Sequence, residues 1–281
     1  MYGLDERILP DLVRAWLAED LGRGDHTTQL TVDPERTGIA RIEARGEAIV
    51  AGLPVAAACF RAVGGEALKW MPEVSDGDSV RSGDVLVRIE GPLQAILIGE
   101  RTALNILARL SAVATLTRSF VDATSGTDAR IVDTRKTTPG LRMLEKYAVR
   151  VGGGHNHRSG LDDGILVKDN HIMAAGGVAE ATRRAVEGRP HGLRVEIEVQ
   201  SLEELDLAIE NGADAVLLDN MAPEMVAEAV TRAAGRVILE ASGGVKLDNV
   251  RSFAETGVDL ISVGALTHSA PAVDLSLEVE V

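Results

Sequence analysis

The sequence predicts an α/β protein: an N-terminal α+β domain over residues 1–112, to which 268–281 can return, then an open, incomplete (β/α) barrel of parallel strands over 113–267. Three observations carry that expectation. Beyond Arg130 the chain becomes a series of short apolar runs, each ending in a polar group and followed by a helix-like segment: IVDT, ILVKDN, VEIEV, AVLLDN, VILEAS and LISVGAL. The last four recur roughly every 20 residues, the length of a compact strand–helix unit, which points to a parallel sheet with helical crossovers. Aromatic residues are only 2% of the 281 against 45% hydrophobic, so packing relies on small aliphatic side chains suited to helix-on-sheet layers. Six runs favour an open barrel over a closed eight-stranded one, with room for a further strand in the glycine-rich segment, and a doubly wound sheet fits the same pattern.

The first half reads differently. Ile8 to Leu21 places Leu9, Leu12, Val13, Trp16 and Leu17 at helical intervals and stops at Gly22. Gly22 to Thr28 reads as a polar turn, and Thr37 to Val50 alternates as a half-buried strand pair would. Pro54 to Val63 is helical in pattern. Leu68 to Glu90 reads as short strands punctuated by Asp76-Gly77-Asp78 and Ser82-Gly83-Asp84, both turn formers. From Leu93 to Phe120 runs a long helical pattern with a break expected near Gly99.

Composition narrows the function. Acidic residues number 43 against 29 basic, a formal net charge of -14, which argues against a phosphate-backbone footprint and hence against nucleic acid as a partner. The single cysteine, Cys59, sits in an apolar run, permits no internal disulfide and fits a reducing cytoplasm. No stretch approaches the ~18 apolar residues that span a bilayer, and the opening MYGLDERILPD lacks a basic segment followed by an apolar one, so neither a membrane span nor export is expected.

Against that acidic background, Asp133 to Arg158 carries Arg135, Lys136, Arg142, Lys146, Arg150 and Arg158 against only Asp133 and Glu145. The cations alternate with Gly, His and Asn rather than with Glu at helical spacing, so an anion-binding pocket is favoured over a solvated face. In either parallel architecture the reactive groups lie beyond the carboxyl ends of the strands. Those ends are Asp133, Thr134, Arg135 and Lys136; Lys168, Asp169 and Asn170; Glu198; Asp219 and Asn220; Glu240 and Ser242; and Gly264. Glu198 and Asp219, one strand–helix unit apart, face the same mouth, where two carboxylates beside several cations orient hydroxyls, hold a divalent metal or stabilise a developing cation. Charge balancing of the Arg and Lys cluster is the plainer alternative for this pair. His157 reads as a proton-transfer group, as a donor to an anion, or as a structural histidine. Ser242-Gly243-Gly244 and Val263-Gly264-Ala265 come from the last two strands, where barrels build phosphate sites from backbone N–H groups; a simple turn is an equal reading.

The motifs DTRKTTPGLR, GGGHNHRSGL and KDNHI, followed by EIEV, LLDN, EASGG and SVGALTHSA, resemble the quinolinate phosphoribosyltransferase family over almost the whole chain. That resemblance implies an α+β domain packed with an open α/β barrel. It implies transfer of phosphoribosyl from 5-phosphoribosyl-1-pyrophosphate to quinolinate with Mg2+, giving nicotinate mononucleotide, pyrophosphate and CO2 in de novo NAD synthesis. Residue by residue, it puts Arg101, Thr134, Arg135, Lys136, His157, Arg158 and Lys168 around quinolinate, Glu198 and Asp219 on the ribose hydroxyls and metal, and Ser242 to Gly244 with Val263 to Ala265 on phosphate. Lys136, Lys168, Glu198 and Asp219 are the implied catalytic residues. The resemblance also implies a homodimer or an assembly of dimers in which Arg101, read here as lying in an apolar helical seam with Leu93, Leu97, Leu104 and Ala108, is donated across the interface. Other readings are a phosphoribosyltransferase-like protein of molybdenum transport loci, a nicotinate-specific enzyme, a Schiff-base lyase using Lys168, and a carrier-like binding module in SDGDSVRSGDVLVRIEG.

Overall fold

The computed structural model describes Leu4 and residues 6–280; Met1 to Gly3, Asp5 and Val281, and with them part of the stretch read for a leader, lie outside the described residues. In chain order the strands are β1 Thr37–Ala44, β2 Ala48–Ile49, β3 Lys69–Pro72, β4 Ser79–Val80, β5 Val85–Pro92, β6 Arg130–Val132, β7 Ile165–Val167, β8 Val195–Val199, β9 Ala215–Asp219, β10 Ile238–Ser242, β11 Leu260–Ser262 and β12 Leu275–Glu280. The helices are α1 Leu9–Leu21, α2 His26–Thr31, α3 Leu53–Gly64, α4 Leu93–Ala123, α5 Arg142–Val151, α6 Asp169–Ala175, α7 Val178–Gly188, α8 Leu202–Glu210, α9 Pro223–Ala233, α10 Val250–Ala254 and α11 Ala265–His268. They form two compact units, one of residues 1–116, 143–152 and 269–281, the other of 117–142 and 153–268. The first unit thus runs on to residue 116 and takes in residues 143–152, most of α5.

In the first unit, β1 lies between β12 and β5 in an antiparallel sheet of order β12-β1-β5-β3. Its alternation buries Ala40, Ile42 and Ala44 completely. Thr37 to Val50 is therefore not one strand pair: β1 and β2 belong to different sheets, because β2 pairs with β4. The two Asp-rich turns are as read, with Gly77 and Gly83 at positive φ and Asp78 and Asp84 accepting the backbone N–H groups of Ser75 and Arg81. Asp76 does something else. It accepts from the N–H groups of Gly52 and Leu53 at the start of α3, at 2.8 and 3.0 Å, and from the Tyr147 hydroxyl at 2.6 Å. Gly22 to Thr28 is only partly a turn, since Asp25 caps α2 through the N–H of Thr28 at 2.9 Å.

Helix α4 runs unbroken through Gly99. A Cβ there would sit 2.9 Å from the Phe60 ring, so the glycine serves close packing of α4 on α3, and no break forms. The apolar seam of α4 contains Ile96, Ala103, Leu107 and Leu110. Arg101 lies outside it: its side chain is 62% exposed and reaches Glu100 at 3.6 Å. The seam reading failed because Leu97 and Ala108 are only partly buried and the true stripe is rotated from theirs.

The second unit is built on six parallel strands in the order β6-β11-β10-β9-β8-β7, each followed by a helix or helical turn. A seventh segment adds to the β6 edge through a parallel bridge between Val132 and His155, the strand-like piece expected in the glycine-rich stretch. From that segment to β8 is five strand spacings, about 24 Å if the sheet were flat. Yet His157 Nε2 lies 3.0 Å from Glu196 Oε2 on β8. The sheet must therefore curl until the His155 segment and β8, its first and sixth strands, face one another across an interior, which makes it an open barrel.

Candidate active site

Period-two alternation sorts each parallel strand. On β8, Val195, Ile197 and Val199 are fully buried, while Glu196 and Glu198 share the opposite face. Register carries that face onward: Glu198 is level with Leu217, Leu217 with Glu240, Asp219 with Ser242, and Ser242 with Ser262. The carboxyl ends consequently present Lys168, Glu198, Asp219, Ser242 and the 133–136 loop at one rim.

Four groups of contacts define that rim. Lys168 Nζ lies 3.3 Å from Glu198 Oε2. Asp219 Oδ2 accepts from Asn220 Nδ2 at 2.9 Å and from Gln200 Nε2 at 3.5 Å. Asn220, at φ 55, packs so closely on the β10 turn that a Cβ on Gly243 would sit 2.2 Å from its Oδ1. Lys136 runs along Gly264, where a Cβ would approach its Cδ to 3.0 Å, and its carbonyl accepts from the Thr267 hydroxyl at 2.8 Å. Lys136 also donates its backbone N–H to Thr134 Oγ1 at 3.0 Å. Thus Thr134, Lys136, Gly264 and Ala265 form one corner, and Asp219, Ser242, Gly243 and Gly244 a second. Val263 is buried, and its N–H is spent on Val132 O at 3.0 Å.

The arginines divide by role. Arg142 holds two loops together, donating to Thr137 Oγ1 at 2.9 Å and to Ser159 O at 2.9 Å. Lys146 and Arg150 lie on α5, so the basic run is not one pocket: helical geometry takes two of its six cations into the other unit. Arg135 and Arg158 remain. Each has a buried Nε with no hydrogen-bond partner, and Arg158 spends one donor on Gly164 O at 3.1 Å. Burial, then the Arg135 charge, lowers the Arg158 guanidinium below its ordinary range. Two adjacent guanidinium groups with buried, unmet donors are an arrangement suited to an anion.

Beneath the rim lies a layer that joins Asp133, His157 and Glu240, marked by the sequence, to Asn156 and Glu196, which the sequence did not single out. Asp133, fully buried, accepts from Asn156 Nδ2 at 2.6 Å and from the His157 N–H at 2.9 Å. His157 Nε2 lies 3.0 Å from Glu196 and 3.5 Å from Glu240, while Nδ1 accepts the Arg158 N–H at 2.7 Å. Burial, and after it the Glu196 charge, pushes the Glu240 carboxyl up to about 7. The signal for Glu196 was present, since a residue two before Glu198 on a strand must share its face.

Across this chain, models of two domains described as quinolinate phosphoribosyl transferase match, the N-terminal one over residues 25–111 and the C-terminal one over 113–278. The chain belongs to the quinolinate phosphoribosyl transferase family. A nicotinate-nucleotide pyrophosphorylase (carboxylating) of Mycobacterium leprae is 44% identical over 95% of this chain and 96% of its own. A probable counterpart from Bacillus subtilis is 42% identical over 96% and 93%. Among solved structures, the nicotinate-nucleotide pyrophosphorylase from Francisella tularensis superposes with a TM-score of 0.93 at 41% identity, covering 98% of this chain and 96% of that one. The family's α+β domain and open barrel are the architecture described above.

Proposed function

We propose that this chain transfers the phosphoribosyl group of 5-phosphoribosyl-1-pyrophosphate to quinolinate with decarboxylation, releasing nicotinate mononucleotide, pyrophosphate and CO2 in NAD biosynthesis. The observation that carries the reading is the Arg135–Arg158 pair, whose unmet donors suit a rigid planar dianion. Quinolinate presents two carboxylates to Arg135, Arg158 and Lys168, with Thr134 and Lys136 on the near side. The ribose phosphate lies on the backbone N–H groups of Gly243, Gly244, Gly264 and Ala265, where glycine allows close approach.

Glu198 and Asp219 take the ribose hydroxyls. As pyrophosphate leaves, the sugar carbon becomes electron-poor, and these carboxylates lower the barrier electrostatically. Both are hard oxygen donors, and each keeps one oxygen without a partner, a set that suits Mg2+, which binds one or two carboxylates and otherwise takes water and phosphate oxygens. Magnesium bound there would neutralise the charge of the departing pyrophosphate. Attack by the ring nitrogen makes it cationic, so it accepts the electron pair of the breaking carbon–carboxylate bond and CO2 departs; the protein holds the geometry. Lys168, paired with Glu198, serves as a charge and not as an amine nucleophile, which disfavours the Schiff-base reading.

The exposed Arg101 is proposed to act in trans, in a homodimer or assembly of dimers. The cytoplasm is the proposed setting: Cys59 is buried with its thiol pushed up to about 12 by burial, and no described helix is long and apolar enough to cross a membrane. An assay with quinolinate, phosphoribosyl pyrophosphate and Mg2+ tests the activity. CO2 and pyrophosphate should appear in equal amounts, and turnover of nicotinic acid but not quinolinate would refute it.

A further inference from the structure

The ring of His157 has no nitrogen left over for chemistry. Nδ1 accepts the Arg158 backbone N–H at 2.7 Å, so it carries a lone pair and the ring proton sits on Nε2. That Nε2–H points into the barrel, toward Glu196 Oε2 at 3.0 Å, with Glu240 Oε2 at 3.5 Å. The ring nitrogen and the two carboxylate oxygens lie within 4.8 Å of one another. Glu240 is 1% exposed and contributes an oxygen with no hydrogen bond, as does Glu196. From the other side, Asp133 fixes the segment by accepting the N–H of His157 and the amide of Asn156.

We infer that Glu196 and Glu240 are positioning residues, which fix the His157 ring from inside the barrel so that His157 fixes Arg158 at the rim. The chain of contacts is continuous: carboxylate pair, Nε2–H, imidazole, Nδ1, Arg158 N–H, Arg158 guanidinium. The Glu196–Nε2 and Nδ1–Arg158 N–H links are hydrogen bonds, Glu240 Oε2 adds a close contact at 3.5 Å, the imidazole and the covalent frame of Arg158 complete the chain, and the far end is the group with unmet donors. Buried polar groups with few partners are costly, so a fold keeps two adjacent carboxylates here only if they hold something in place. His157 is thereby a bridge, and it neither donates nor takes the proton of the reaction. The part concerning quinolinate rests on the function proposed above; the ring geometry does not.

The test has two arms that separate those claims. Nitrogen-15 NMR of the substrate-free protein, with the His157 signals assigned by their loss in His157→Gln, should show a neutral ring protonated on Nε2 and a hydrogen-bonded Nε2–H proton. Glu196→Ala should abolish that proton signal. A doubly protonated ring, or one protonated on Nδ1, overturns the proposal whatever the substrate is. In the kinetic arm, Glu196→Ala and Glu240→Ala should raise the KM for quinolinate at least about tenfold with a smaller change in kcat and little in the KM for phosphoribosyl pyrophosphate. Glu240→Gln, which copies the protonated acid, should recover most of the loss, and His157→Ala should add little to Glu196→Ala, because the two act through one ring. Folded alanine variants with wild-type quinolinate KM overturn the positioning role, as would a Zn2+ site abolished by Glu240→Gln, which makes the cluster a metal centre. If the alanine variants do not fold, the wild-type NMR result still decides the ring assignment. If the wild type fails to turn over quinolinate while the ring signature holds, only the proposed substrate is lost.

Discussion

At the scale of single residues, shape matters more than charge at Arg135 and Arg158. A guanidinium meets a carboxylate at two points and an ammonium at one, so Arg135→Lys and Arg158→Lys keep the net charge and lose the fork. Losing one charge-assisted hydrogen bond costs roughly 1.5–3 kcal/mol, or about ten- to a hundredfold in kcat/KM. Near-normal quinolinate affinity in both variants would make these arginines structural. Glu240 gives a second prediction, on stability. Its carboxyl is raised from 4.5 to about 7, so the folded state keeps a proton that the unfolded chain releases. Its contribution is full below the unfolded value, falls as pH rises from about 4.5 to about 7, and is flat above. Glu240→Gln removes that dependence, so between pH 5 and 8 the variant's Tm should fall less than the wild type's; parallel Tm curves would mean that Glu240 is ionised throughout.

At the scale of elements, two glycines with different reasons for being glycine can be separated. Gly99 has ordinary helical backbone but no space, because Phe60 lies 2.9 Å from where its Cβ would be. Gly99→Ala should overpack α4 against α3 and cost about 1–3 kcal/mol, read by chemical denaturation. An unchanged midpoint would show that Phe60 yields at no cost. Gly243 has both problems: φ is 90 and Asn220 Oδ1 is 2.2 Å from the added carbon. Gly243→Ala should therefore displace the Asn220 turn and weaken phosphoribosyl pyrophosphate binding more than quinolinate binding. The reverse ranking would take this turn out of the phosphate site.

For the whole molecule, the question is whether one chain holds a complete site. If Arg101 acts in a partner's site, Arg101→Ala and Lys168→Ala should each be inactive alone, yet regain activity when mixed under conditions of subunit exchange. A heterodimer then has one site with both defects and one with neither, so equal amounts restore about a quarter of wild-type sites. Verified exchange without activity would confine Arg101 to its own subunit. Six parallel strands were legible in the chain because buried strands read as short apolar runs with a polar residue at the carboxyl end, and Lys168, Glu198 and Asp219 stand at such ends. Less legible was α5, whose cations hid a helical period, and α4, whose Gly99 read as a break.

The sequence by itself determined the class of fold, the positions of the strand ends and the excess of cations there, because periodicity and charge are local properties of the chain. Only the tertiary structure decided which cations converge, since that depends on where helices point: Lys146 and Arg150 leave with α5, while Arg135 and Arg158 meet with unmet donors. Only the curl of the sheet could bring His157 to Glu196 and Glu240, residues 39 and 83 positions away, because contact across a barrel interior is set by strand order and not by spacing along the chain.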